Sequence, residues 1–239
     1  MKKILKGFAL SVSMLTTLPF FKMHDFFKGI NGYAVMFFPL VGLILGFTLF
    51  GIHSLLEPFV ASTHLNIIIF ALLVLFTGAL HLDGFADTID GLYVKKEKAL
   101  EVMSDPHIGA MGMIITAVFL ILKASTFMLL ESFYLLPFIL LLSRFNAVLA
   151  IYFFPYIGGG MAKLAKDEFS KTQLIFAALF TILLAILLSW KLVLISLLTL
   201  VIVSKFFVKR YGGLSGDIYG FTIEVSELIL LNIVVFGLI

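Results

Sequence analysis

Three aspartates crowd into one short run. Asp83, Asp87 and Asp90 lie in His81-Leu82-Asp83-Gly84-Phe85-Ala86-Asp87-Thr88-Ile89-Asp90-Gly91, and their i, i+4, i+7 spacing puts all three carboxylates on one face of a helix. Like charges three or four residues apart repel by about 0.2–0.5 kcal/mol per pair in water, and by more beside a low-dielectric membrane. A divalent cation relieves that repulsion, and a donor set made only of oxygen favours Mg²⁺, Mn²⁺ or Ca²⁺ over zinc. The plain alternative is a solvated helix end. Phe85, Ile89 and Leu92 keep the other face apolar, so the pattern favours a metal site on Asp83, Asp87 and Asp90.

Other charged residues fall in places where charge is expensive. Asp105-Pro106-His107-Ile108-Gly109 precedes a long apolar stretch. Asp before Pro is an ordinary helix start, with Asp105 as N-cap. The same helix N-terminus could receive phosphate oxygens if it faces the triad, and His107 is either a proton carrier or an ordinary interfacial side chain. Gly212-Gly213-Leu214-Ser215-Gly216-Asp217 makes a flexible loop before the last apolar stretch, with Asp217 a turn residue or a site residue. Glu224 and Glu227 follow inside that stretch on one helical face, and Lys123 and Arg144 sit near the middle of two others. Charges at such depth normally face an interior partner or a site. Two readings stay open for Lys123 and Arg144: counter-ions to Glu224 and Glu227, or a pocket for an anionic group such as phosphate. Taken together, the acids, the glycine loops and the buried cations suggest phosphoryl transfer at a membrane interface, with Mg²⁺ bridging pyrophosphate oxygens. The chain contains no G-x-x-x-x-G-K-[ST] phosphate loop, which argues against energy-driven NTPase action.

The elements that must hold these residues are membrane helices. Of 239 residues, 62% are hydrophobic and 13% charged, against about a quarter charged in a soluble domain, and the mean hydropathy is +1.16. So much apolar surface needs lipid as solvent. No linker or polar tract divides the chain, which reads as one membrane domain over 1–239. Cysteine is absent, which removes disulfides and thiolate metal sites. The net charge of +3 is scattered, without the basic and aromatic stripe that nucleic acid requires.

Seven apolar segments approach the roughly twenty residues a span needs: 33–56, 65–82, 112–130, 133–154, 174–188, 192–208 and 222–239. The earlier stretch 4–21 contains Lys6, Thr16, Thr17 and Pro19 and lacks a signal-peptide cleavage pattern, so it reads as an interfacial or re-entrant helix. Lysines and arginines crowd the segments before the first span and between spans two and three, four and five, and six and seven. The alternate loops carry only Lys191. By the positive-inside rule the rich side is cytoplasmic, and the Asp-bearing and glycine-bearing segments lie on it. The expected architecture is an all-α polytopic bundle of about seven transmembrane helices plus the N-terminal helix.

The motif from His81 to Gly91 resembles the signature of the cobalamin synthase family (adenosylcobinamide-GDP ribazoletransferases). The resemblance extends through Glu101-Val102-Met103-Ser104-Asp105-Pro106-His107-Ile108-Gly109-Ala110-Met111-Gly112, Ser143-Arg144, and the loop from Gly212 to Asp217 with Glu224 and Glu227. Leu15-Thr16-Thr17-Leu18-Pro19 resembles the family's opening. Pro106 departs from the basic or small polar residue that many members carry there. The resemblance implies a cytoplasmic-membrane enzyme that joins adenosylcobinamide-GDP to α-ribazole or its 5′-phosphate with Mg²⁺ and releases GMP. On that footing Asp83, Asp87, Asp90 and Asp105 are the expected catalytic residues, the first three as metal ligands. Lys123, Arg144, Asp217, Glu224 and Glu227 are the expected substrate and phosphate contacts, membrane lipid is a partner, and a homo-oligomer is left open.

Three rivals are weaker. Asp87-Thr88-Ile89-Asp90-Gly91 has the D-x-x-D-G core of CDP-alcohol phosphotransferases, but the Ala-Arg pair and the later Asp pair of that family are missing. Asp83-x-x-x-Asp87 alone is a weak prenyltransferase signal. An ion-coupled transporter would use the intramembrane charges, yet no inverted repeat or paired broken helix is evident.

Overall fold

In the computed structural model the described residues are 2–18 and 27–238. They form eleven α-helices: α1 (Lys2–Leu15), α2 (Ile30–Leu56), α3 (Ser62–Phe76), α4 (Leu80–Leu92), α5 (Ala99–Met103), α6 (Ala110–Met128), α7 (Leu136–Phe153), α8 (Gly160–Glu168), α9 (Lys171–Leu188), α10 (Trp190–Tyr211) and α11 (Gly216–Val235). Among the described residues there is no sheet, only an isolated parallel bridge between Tyr156 and Leu214. Five helices are long and apolar enough to cross a membrane. Two bent pairs, α3 with α4 and α8 with α9, raise the count to seven. The expected all-α, polytopic architecture holds.

α7 is the central post, with fourteen of its eighteen residues buried. α2 lies close against it because Gly42 and Gly46 face the α7 backbone. A Cβ at Gly46 would stand 2.8 Å from the Pro137 nitrogen, and one at Gly42 would stand 2.8 Å from the Leu140 carbonyl carbon. Small residues at such crossings let helices pack by dispersion where lipid removes the hydrophobic drive. The outer helices instead expose apolar side chains such as Ile121, Phe176, Leu183 and Ile202, the surface a lipid environment accepts. α1 is about 21 Å long at 1.5 Å per residue, short of the ~30 Å hydrocarbon core. It buries Leu10, Ser11, Val12 and Leu15. Residues 19–21 of the N-terminal stretch lie outside the described residues.

The second apolar segment departs from expectation. By hydropathy the segment 65–82 runs straight into the aspartate motif, but α3 stops at Phe76 and α4 leaves it at an 80° bend. Thr77-Gly78 explains the stop. Gly78 takes a left-handed φ of 60°, as does Ala79 at 55°, the conformation that ends helices. The last carbonyls of α3 find outside partners. Thr17 N donates to Phe76 O at 2.8 Å, and Thr17 Oγ1 donates to Leu75 O at 3.0 Å. The Thr-Thr after α1 therefore caps α3, and the bend carries the aspartate helix back against α6 and α11.

Two further differences concern the lysine-rich and glycine-rich connecting segments. The lysine-rich stretch before α9 contains a helix, α8, which meets α9 at 93°. Lys166 of α8 donates to the carbonyls of Ile151, Tyr152 and Phe154 at 2.6, 2.9 and 2.9 Å, satisfying the orphan C-terminus of α7. The last span begins earlier than its hydropathy suggests. Ser215 caps α11 by accepting from Ile218 N at 3.3 Å, so Asp217 lies in the first helical turn.

Candidate active site

α4 is held along its length, which fixes where its aspartates point. At its C-terminus Arg210 donates to Leu92 O and Tyr211 donates to Gly91 O, both at 2.8 Å. A cation and a hydroxyl there satisfy carbonyls at the negative end of the helix dipole. Along its side, Gly84 and Gly220 allow close contact with α11. A Cβ on Gly84 would fall 2.9 Å from Asp217 O, and one on Gly220 would fall 3.1 Å from His81 O. That approach sets Asp217 directly beside the aspartate helix.

The three aspartates then meet different fates. Asp83 is exposed, Asp87 half-buried and Asp90 buried. Asp90 accepts from Gly109 N and Gly112 N, each at 2.7 Å, so it caps α6 from a neighbouring helix. Any Cβ at Gly112 would come within 2.8 Å of both Asp90 Cγ and the Ala86 carbonyl oxygen, so these glycines make the contact possible. No hydrogen bond or ion pair engages the Asp83 or Asp87 side chain among the described residues. Asp87 lies within electrostatic reach of Asp83, Asp217 and Asp90, and Ser215 Oγ donates to Asp217 Oδ2 at 3.2 Å.

The expected three-aspartate metal group is therefore not gathered. Among the described residues, no three His, Asp or Glu side chains come close enough to hold an ion by themselves. Two physical reasons account for this. Seven residues of helix separate Asp83 from Asp90 by about 10.5 Å, and the amides of Gly109 and Gly112 hold Asp90 away. Mg²⁺, however, is commonly held by one or two carboxylates together with substrate phosphates and water. The uncommitted carboxylates of Asp83 and Asp87, with Asp217 beside them, form an all-oxygen donor set of that kind, so these residues fit Mg²⁺.

Two cavities meet at this point. A wide one of about 680 Å³ is lined by Glu101, Ser104, Tyr156, Gly159 and Asp217, among others. A smaller one of about 240 Å³ carries Asp83, Asp217 and His81 amid apolar side chains. They share Met161, Ala162, Gly216 and Asp217. Asp105 is not the N-cap of α6, a place held by Gly109. It lies on the loop next to Ser104 and accepts from His107 N at 2.9 Å, with His107 Nδ1 2.7 Å away. The backbone N–H and imidazole of His107 hold this carboxyl below the usual carboxylate range.

The intramembrane charges form a separate group. Lys123 Nζ donates to Glu224 Oε2 and Glu227 Oε2, each at 2.6 Å, and Arg144 pairs with Glu227 and also donates to Ser143 Oγ at 2.9 Å. All four charged side chains are nearly inaccessible. Two cations and two anions are matched here, which is the counter-ion arrangement rather than an open phosphate pocket. Sequence reasoning gave no role to His81, Ser215, Tyr156, Arg210 or Tyr211. Only the Ser-Gly-Asp helix start could have signalled one of them.

The fold is that of a membrane-embedded helical protein of several spans with acid-rimmed cavities. The chain matches the Cobalamin-5-phosphate synthase (CobS) family over residues 7–235. It is 36% identical over 211 residues to the adenosylcobinamide-GDP ribazoletransferase of Acinetobacter baumannii (strain ACICU), covering 84% of this chain and 85% of that protein. It is also 34% identical over 246 residues to the enzyme of the same name from Desulforamulus reducens, covering 95% of each. No solved structure matches the chain. The chain belongs to the cobalamin-5-phosphate synthase family, and so is a membrane transferase of cobalamin biosynthesis.

Proposed function

We propose that this protein transfers the phosphocobinamide group of adenosylcobinamide-GDP to α-ribazole or its 5′-phosphate and releases GMP. The observation that carries the reading is the pair of uncommitted carboxylates, Asp83 and Asp87, within electrostatic reach of Asp217, a residue that the two cavities share. A ribose hydroxyl of the acceptor attacks the cobinamide-side phosphorus, the bond from that phosphorus to the GMP oxygen breaks, and GMP leaves. Asp87 or Asp83 takes the hydroxyl proton as general base. Glu224 and Glu227 do not compete for that role, because Lys123 and Arg144 occupy them. Mg²⁺ would be held by one or two of the carboxylates of Asp83, Asp87 and Asp217 together with the substrate's phosphates, and would supply charge neutralisation for the diphosphate and the departing phosphate.

Asp105, ionised on the loop that rims the wide cavity, is a second point from which a carboxylate reaches the nucleotide end. Lys123 and Arg144 act at a distance, fixing α6, α7 and α11 so that the acid pair keeps its place. By the positive-inside rule, the lysine-rich termini of the spans support a mouth that opens at the cytoplasmic face of the inner membrane. Purified protein in lipid nanodiscs with Mg²⁺, adenosylcobinamide-GDP and α-ribazole should release GMP in step with cobalamin, followed by LC–MS. GMP release that does not depend on α-ribazole would contradict the transfer.

A further inference from the structure

The smaller cavity holds two polar side chains that the fold does not use. His81 is 4% exposed and Tyr219 6%, and both line this cavity. Neither ring nitrogen of His81 and no atom of the Tyr219 hydroxyl side has a hydrogen-bond partner among the described residues. Buried polar groups in folded proteins are almost always partnered. An unpartnered one weakens folding, so its retention points to a ligand that completes it.

The shape narrows that ligand. Apart from Asp83 and Asp217, the latter at the junction with the wide cavity, the rest of the wall is apolar, with Leu15, Phe38, Ile151 and Ile223 contributing. A cavity of about 240 Å³ lies below the roughly 300–1,000 Å³ of pockets that take a whole drug-sized ligand, so it holds one part of a large substrate. A corrin macrocycle is too large. Guanine presents a dense edge of donors and acceptors, and its N–H groups would need the carboxylates of Asp83 or Asp217, which the proposed reaction gives to Mg²⁺ and the diphosphate, so the apolar remainder of the wall would leave that edge underpaired. An alkylated benzimidazole attached to ribose is flat and apolar, and has a single unsubstituted ring nitrogen that accepts one hydrogen bond.

We propose that this cavity binds the aromatic nitrogen base of the acceptor, with His81 and Tyr219 donating to its one unsubstituted ring nitrogen and to the adjoining ribose. The inference rests on the ribazole-transfer reading and deepens it. With the base in the chamber, the ribose lies toward Met161, Ala162, Gly216 and Asp217, where the two cavities join and Asp83 and Asp217 stand. The cavity is thus a specificity device for the lower base of the product.

The test uses full-length protein in nanodiscs. α-Ribazole binding is measured by equilibrium dialysis without nucleotide, KM is measured for each substrate, and thermal unfolding is followed alongside. His81→Phe should unfold no earlier than the wild type while weakening α-ribazole binding about tenfold, with the KM for adenosylcobinamide-GDP within about twofold. Ala162→Leu, on a half-exposed helix face at the neck, should weaken α-ribazole binding similarly and serves if His81→Phe fails to fold. Ile223→Ala should admit bases with bulkier ring substituents than the wild type accepts. Early unfolding of His81→Phe with intact α-ribazole binding in Ala162→Leu would overturn the proposal and leave His81 structural. A change confined to the nucleotide KM would assign the chamber to guanine instead. Loss of co-purifying lipid from Ala162→Leu with unchanged α-ribazole binding would make it a lipid cavity. Wild-type protein that binds α-ribazole but releases no GMP would defeat the transfer reading and leave the cavity assignment standing.

Discussion

Two groups of carboxylates meet α11 about two turns apart, one at Asp217 and the other at Glu224 and Glu227, and the fold treats them in opposite ways. Glu224 and Glu227, in the middle of α11, are enclosed and matched by Lys123 and Arg144. Asp83 and Asp87, on α4 at the mouth, meet no cation among the described residues, while Asp217 at the start of the same α11 stands beside them. The enclosed group adds little stability over an apolar core but forbids the loss of any single member. The open group costs some repulsion and gains nothing in the folded protein alone. An arrangement that is unfavourable without a ligand and easily relieved by one is the mark of a site.

That contrast can be broken from either side. Asp87→Asn should lower the rate of GMP release by about 10²–10⁴-fold, the range for a lost general base, without earlier thermal unfolding. Glu227→Gln should do the reverse. With Lys123 and Arg144 left buried and underpaired, unfolding in detergent should shift by about 3–5 kcal/mol, and replacing Arg144 by Met together with Glu227 by Leu should recover most of it. Gly112→Ala sharpens the comparison within α4, because it pushes Asp90 from the amides that hold it. A loss of about 1–3 kcal/mol is expected, the scale for a buried group left unsatisfied, measured by the same unfolding. Arg210→Ala removes one hydrogen bond from the end of α4 and should cost about 0.5–1.5 kcal/mol, read as faster hydrogen exchange in its last turn.

Much of this was legible in the residues. Apolar segment length and the lysine distribution gave the membrane helices, because lipid imposes length and composition directly. The i, i+3 spacing of Glu224 and Glu227 and the depth of Lys123 and Arg144 allowed their pairing as one of two readings, and the coordinates select it. What stayed hidden was tertiary. The bend at Gly78 depends on Thr17 reaching the end of α3 from the far end of α1. Asp90 looked like a third ligand because helical spacing reports the face a side chain leaves from, whereas its partner is a helix start nineteen residues onward. α8 leaves little trace in the sequence because its nine residues are polar on one side and too short for a periodic pattern to stand out. The cavity around His81 and Tyr219 joins residues far apart in the chain, which spacing alone cannot bring together.

The central claim is that the uncommitted acids work on the substrate while the committed ones hold the fold, and Asp87 and Asp90 test it within a single turn of α4. GMP release and thermal unfolding should be measured side by side for Asp87→Asn and Asp90→Asn across a range of Mg²⁺ concentrations. The account predicts that Asp87→Asn unfolds like the wild type and is nearly inactive at every Mg²⁺ level, while Asp90→Asn unfolds early yet turns over near normally while folded. A stable, inactive Asp90→Asn beside a stable, active Asp87→Asn would contradict it.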